Sequence, residues 1–341
     1  IAITPNGKFP LKWKNQGKFI LDGSDPNNDW QGWIPASQNP TVKNPPRNFV
    51  SSSNQSSTDP SYPYYINWEF APYERGQRIN DRLTKMDKIT TDSMRILLMD
   101  SYSLVAENLL PSILPLVNTE QLNATQKKAF NITSKWNKYF DANEIAGSIF
   151  DLWLKKLTAS IWEDDFTIAD IPMRFPSRDR TIELIQKTPN SKWFDNVKTS
   201  QKETLADLVN SSFKSTCDSL EKKFGPIGKD WYWGNVKGTN VPHLAKIPGF
   251  GSQKLLIGGS KSTVNAISET NGPSWRMVIE LGKNVKGHGV YPGGQSGNPG
   301  SKFYDNMIDT WAQGKLNDLF FFFFFKDKSG KIISTYQISK K

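Results

Sequence analysis

Gly293-Gly-Gln-Ser-Gly-Asn-Pro-Gly-Ser301, taken with Asn44-Pro-Pro46 and Asn54, is the most informative stretch of this 341-residue chain. Small hydrogen-bonding residues at this density make backbone that turns sharply and comes close to its neighbours. Gly293-Gly-Gln-Ser-Gly297 has the outward form of a nucleophile elbow. It lacks the preceding strand-to-helix context that would expose Ser296 as a nucleophile, so a turn or a pocket wall is expected.

Around that stretch, residues 225–341 read as short strands separated by Gly, Asn and Pro. Trp231-Tyr-Trp-Gly234, Leu255-Leu-Ile257, Thr263-Val264, Trp275–Leu281 and Val290-Tyr291 are the strand candidates, Trp275–Leu281 the clearest. A final strand pair, Leu319–Phe325 and Ile332–Ile338, is expected around Asp327-Lys-Ser-Gly330. The six-residue Phe320–Phe325 run is too short for a membrane span and reads as a buried strand. Residues 90–224 are helical in pattern. Thr90-Thr-Asp92 can cap a helix carrying Met94, Leu97, Leu98, Leu104, Val105 and Leu109, and Pro111 and Pro115 interrupt the pattern beyond Leu109. Further helices are expected near 119–138, 142–162, 179–187 and 199–223. Residues 1–89, rich in Pro, Gly, Asn, Ser and aromatics, read as short strands such as Phe19-Ile-Leu21 and Phe49-Val50 joined by ordered loops. Strands, helices, then strands predict an α+β layered fold with a helical insertion.

Composition narrows the function. Hydrophobic residues are only 37% of the chain, but 20 Phe, 12 Trp and 10 Tyr supply bulky core formers. Cys217 is the only cysteine, which excludes an intrachain disulfide and a cysteine metal cluster. The net charge of +10 comes from lysines scattered as singles and pairs, so a solvated basic surface is expected and no nucleic-acid partner. Ile1 opens directly into a loop and strand pattern with no export signal, and no membrane segment or membrane partner is expected. His243 and His288 are the only histidines. No spacing motif supplies a zinc site, a phosphate loop or a Ser-His-Asp triad around them.

Several blocks share one resemblance. Trp30-Gln-Gly-Trp-Ile-Pro35, Asn44-Pro-Pro46 and Phe49-Val-Ser-Ser-Ser-Asn54-Gln55 are followed by Tyr62-Pro-Tyr-Tyr65, Trp68 and Tyr73-Glu-Arg-Gly-Gln-Arg78-Ile79. Trp231-Tyr-Trp-Gly234, Ser262-Thr-Val-Asn265, Gly272-Pro-Ser-Trp-Arg276 and Gly294–Ser301 with Tyr304-Asp305 and Trp311 come later. In this order they resemble the C-terminal portion of the catalytic chain of penicillin acylases, N-terminal-nucleophile amidohydrolases. The resemblance implies the four-layer αββα sandwich of those enzymes, with the 90–224 helices as an insertion. It also implies an acyl-enzyme route in which a serine at a newly made N-terminus attacks an amide and its own α-amine is the base. An α-amine titrates near pH ~7.7–8.0, which suits that task without any histidine. Asn54 matches the family's oxyanion-binding asparagine, delivered on a strand beside the nucleophile. Arg78 matches the arginine that helps hold it.

The chain departs from the family pattern where the nucleophile belongs. Ile1 is neither Ser nor Thr, so the nucleophilic Ser is expected on an upstream segment or a partner subunit, and this chain alone is expected to be inactive. The partner chemistry is otherwise a small-molecule acyl amide. No cofactor is required for the reaction. A structural calcium is common in the family, with ligands mostly outside this chain. Where relatives show histidines after Trp-x-Trp-Gly, Lys237 stands near one place and His243 near the other. Precursors of the family are usually exported, which implies a periplasmic or secreted location. The competing expectation is a secreted glycan-binding module using Trp30, Trp33, Trp231 and Trp233 as an exposed aromatic face.

Overall fold

A computed structural model describes residues 1–168, 171–320 and 336–340. Its centre is helical. After α1 (Glu74–Thr84) come α2 (Thr91–Leu98), α3 (Leu104–Ile113), α4 (Ala124–Ser134), α5 (Ala146–Trp162), α6 (Arg178–Lys187) and α7 (Leu205–Phe224). Two short helices come next, α8 (Trp233–Lys237) and α9 (Ile308–Ala312). The strands are β1 (Ala2–Ile3) with β2 (Val42–Lys43), β3 (Thr167–Ile168) with β4 (Ile171–Pro172), and an antiparallel sheet in the order β5 (Arg276–Glu280), β6 (Lys286–Val290), β7 (Asn317–Leu319). The class is α+β, as the order of patterns predicts.

The helices begin where the sequence provides caps. Thr90 and Ser93 satisfy each other's backbone N–H groups at the start of α2, as do Asn123 and Gln126 at α4 and Thr204 and Asp207 at α7. Each such box gives partners to two amides that the helix cannot pair internally. Replacing Thr204 with Ala is expected to cost about 1 kcal/mol. It should appear as a lower urea midpoint with an unchanged m-value. Pro111 sits inside the last turn of α3, and Pro115 falls in the 3-10 turn that ends it, so the interruption is gentler than the sequence suggests.

The core forms between α5 and α7. Trp153 is fully buried, its ring 4.9 Å from that of Phe213 in an edge-on arrangement, and its Nε1 donates to Ser212 Oγ at 3.1 Å. Burying the polar end of tryptophan requires that partner. Leu109, Ile113, Ile149, Leu157, Ile161 and Leu220 fill the surrounding space. Cys217 lies in the same core, where burial pushes its thiol up to about 12, so it packs as a small apolar group. A second, smaller core under the three-stranded sheet joins Ile257, Ile267, Val290 and Trp311. Arg276 and Val278 of β5 face inward while Met277 faces out, the period of two that the sequence shows.

Five strand expectations fail. Trp231–Gly234 is a 3-10 turn running into α8, because Trp231 and Trp233 are drawn into the helical core. There the Trp233 ring lies 4.9 Å from Phe140 and its Nε1 donates to Gly259 O at 2.7 Å. Leu255–Ile257 belongs to no strand, and Ile257 N donates to Leu255 O at 3.1 Å in a tight turn. It leads into Gly258, where a Cβ would meet Phe140 O at 2.6 Å, so only glycine lets the two backbones approach this closely. Thr263-Val264 is a turn. In residues 1–73 the described strands are the two-residue pair β1–β2. Phe19 and Ile20, expected in a strand, are exposed in a loop, and Phe49-Val50 is coil. Dense Pro, Gly, Asn and Ser favour turns there over ladders. The expected last strand pair falls largely on 321–335, outside the described residues.

Gly293–Ser301 folds upon itself. Ser296 N donates to Phe303 O at 3.1 Å and Met307 N to Gly293 O at 3.0 Å. A Cβ on Gly294 would meet Phe303 O at 2.1 Å, so glycine is required there.

Candidate active site

α1 is the element that positions the site. Its first turn is held to α6 by Glu74, which is buried and receives Arg178 Nη2 at 2.7 Å. Its second turn is held by Arg78, whose Nε and Nη2 donate to both oxygens of Asp100, the shortest bond being 2.7 Å. The same guanidinium lies 4.2 Å from the centre of the Tyr102 ring, and Nη2 reaches Tyr139 OH at 3.2 Å. Two anchors on one helix fix the side chain between them.

That side chain is Arg75. Its Nη2 donates to Asn54 Oδ1 at 2.8 Å and to Ser53 O at 2.9 Å. Asn54 sits in a tight turn with φ of 69°, a left-handed conformation that asparagine tolerates better than most residues. It is not on a strand, contrary to the expectation from its flanking blocks. Ala71 N donates to Asn54 O at 2.9 Å, and Ser53 N to Gln55 Oε1 at 2.7 Å, which closes the turn against the start of α1. Arginine has no acceptor, so the atom facing Arg75 must be the oxygen of the carboxamide. The Asn54 amide nitrogen has no partner among the described residues. Asn54 lines a cleft of about 630 Å³ whose walls include Phe9, Lys12, Phe70 and Pro72. Asn54 itself is exposed.

Asn54 and Arg78 are therefore not brought together. Arg78 is one helical turn away, engaged with Asp100, and Arg75 takes the contact with Asn54. Arg75 stands inside the block Tyr73–Ile79, so the signal is present in the sequence, but nothing in the spacing says which arginine faces the turn. Neither His243 nor His288 borders the cleft. His288 Nδ1 is 3.1 Å from Asp318 across β6 and β7, and the His243 ring packs near Phe250. Ser296 Oγ accepts from Asn298 N within its own turn, and the Gly293–Ser301 loop does not border the cleft. Among the described residues no three His, Cys, Asp or Glu side chains gather closely enough to hold a metal ion. The four tryptophans do not share a face: Trp30 and Trp33 are exposed and stacked edge-on at 5.8 Å, while Trp231 and Trp233 are buried.

The fold gives the class. A solved thermostable penicillin G acylase from Alcaligenes faecalis superposes with a TM-score of 0.61 over 100% of this chain and 66% of that one, at 13% identity. The chain thus shares part of that enzyme's fold. The sequence pattern of the family described as Penicillin amidase matches residues 1–322, and the chain belongs to that family. Among curated relatives, the acyl-homoserine lactone acylase QuiP of Pseudomonas syringae pv. syringae is 23% identical over 92% of this chain and 42% of its own length. The penicillin acylase 2 proenzyme of Pseudomonas sp. (strain SE83) is 24% identical over 44% of this chain and 19% of its own. The chain spans about two fifths of the length of the first of these relatives.

Proposed function

We propose that this chain supplies the oxyanion-binding wall of an amide-hydrolysing site whose nucleophilic serine is carried by another stretch of polypeptide. The observation that carries the reading is the Asn54 carboxamide, its oxygen occupied by Arg75, on a residue that lines the cleft and whose amide nitrogen has no hydrogen-bond partner among the described residues. Attack of a serine oxygen on an amide carbonyl puts a negative charge on the carbonyl oxygen. A donor already aimed at that position stabilises the charge without reorganising. Arg75 fixes which end of the carboxamide faces the substrate and draws electron density from it. Collapse of the intermediate expels the amine and leaves an acyl-enzyme, and water then releases the carboxylic acid. The serine's own α-amine, neutral near pH ~8, is the base.

The names of the relatives favour linear acyl amides of the acyl-homoserine lactone or penicillin type as substrates. The partner segment bearing the serine completes the site, in keeping with a relative named as a proenzyme. A periplasmic or secreted location goes with this reading. Among the described residues no helix is long and apolar enough to cross a membrane. The glycan-binding alternative loses support because two of its four tryptophans are in the core.

The test assembles the protein with a serine-led upstream segment and measures carboxylate release from phenylacetyl amides and acyl-homoserine lactones. Turnover in the assembled protein and none in the 341-residue chain alone is expected. Equal turnover by the chain alone, or none after assembly, would reject the reading.

A further inference from the structure

Lys237 closes α8 with 7% of its surface exposed. Its Nζ donates to the carbonyl oxygens of Gly258 and Gly259, each at 2.9 Å. An ammonium has three donors, so one is left without a hydrogen-bond partner among the described residues, with Nζ 5.5 Å from the centre of the Trp233 ring. The carboxylate that influences it, Asp151, is itself paired with Lys155 at 2.7 Å. Burial pulls the Lys237 ammonium down to about 7, the behaviour of a cation lacking a counterion.

This amine borders a cavity of about 630 Å³ between α5, α7, α8 and the 260–271 segment, a volume typical of small-molecule sites. Six cationic residues border it (Lys155, Lys156, Arg178, Lys223, Lys237 and Lys261), against two carboxylates, Asp151 and Glu269. Phe140, Trp233 and Ile267 give it an apolar wall. Ser148 also borders it, fully buried, with a hydroxyl that has no hydrogen-bond partner. A buried polar group left unpaired is costly, and here the unpaired Ser148 hydroxyl lies on the same cavity as an ammonium with a spare donor. The cavity shares no bordering residue with the Asn54 cleft.

We propose that this cavity is a binding site for a small organic carboxylate, its anionic head on Lys237 and Ser148 and its apolar body against Phe140 and Trp233. One free ammonium donor and one hydroxyl suit a single carboxylate better than a phosphate, which needs more donors to replace its water. The apolar wall calls for a hydrocarbon body. The site stands whether or not the Asn54 cleft performs catalysis.

The probe is octanoate, titrated calorimetrically into the intact protein, with octanamide and inorganic phosphate as controls. Binding on the order of 0.1–1 mM is expected, with octanamide much weaker and phosphate unable to compete. Lys237→Met keeps the side-chain length and removes a costly buried charge, so it is expected to fold; its affinity for octanoate should fall roughly tenfold to hundredfold. Ser148→Ala should weaken binding by a smaller factor. In the unaltered protein, octanoate should slow reductive methylation of Lys237, read by peptide mass spectrometry. No octanoate binding at millimolar concentration, equal affinity in Lys237→Met, equal affinity for octanamide, or labelling of Lys237 indifferent to octanoate would each overturn the proposal.

Discussion

Asn54→Asp in the assembled enzyme is expected to reduce kcat about 10²–10³-fold, the usual effect of losing one oxyanion donor. The substitution is chosen for what it preserves. Aspartate tolerates the left-handed conformation that Asn54 adopts at φ of 69°, whereas alanine there adds backbone strain of about 1 kcal/mol. A carboxylate oxygen also still accepts from Arg75 Nη2, so the turn and its tie to α1 survive. Only the amide donor is lost, and a negative charge takes its place where the proposed reaction develops one. KM should change little, because the interaction is made in the transition state and not in the bound ground state. The thermal midpoint should stay near that of the unaltered protein. Turnover at the original rate would remove Asn54 from the site.

The ease of reading this chain divides along a physical line. Elements made by local interactions are legible. The apolar spacing of Leu97, Leu104, Val105 and Leu109 with the cap at Thr90 gives α2 and α3, and the alternation in Trp275–Leu281 gives β5. Elements settled by distant packing are not. Trp231 and Trp233 have the composition of a strand, yet the helical core claims both rings and bends the backbone into α8. Lys237 is a surface residue by type, and only the docking of α8 against Gly258 and Gly259 buries it. Asn54 can be singled out from its flanking blocks. Its partner cannot, because Arg75 and Arg78 lie on one helix three residues apart, and the choice between them rests on where Glu74 and Asp100 pin that helix.

That division sets the consequence of removing Arg78. Arg78→Met is expected to destabilise the fold by about 3 kcal/mol, because it leaves the Asp100 carboxylate without its partner. The Asp100 side chain is 4% exposed, so solvent cannot take over, and Arg82 Nε at 3.9 Å offers a weaker substitute. The Tyr102 and Tyr139 rings also lose the guanidinium packed against them. Adding Asp100→Asn should restore part of the stability, since the amide carries no charge to be left buried. Arg75→Met has the opposite signature: kcat falls because the Asn54 carboxamide is no longer held, while the denaturation midpoint barely moves, Arg75 being tied among the described residues to Asn54 and the adjoining Ser53 carbonyl alone. Together the two arginines separate support from chemistry on neighbouring turns of α1. If Arg78→Met instead kept its midpoint and lost turnover, Arg78 would have to reach the reacting atoms in the working enzyme, and α1 would have to sit differently against the Asn54 turn.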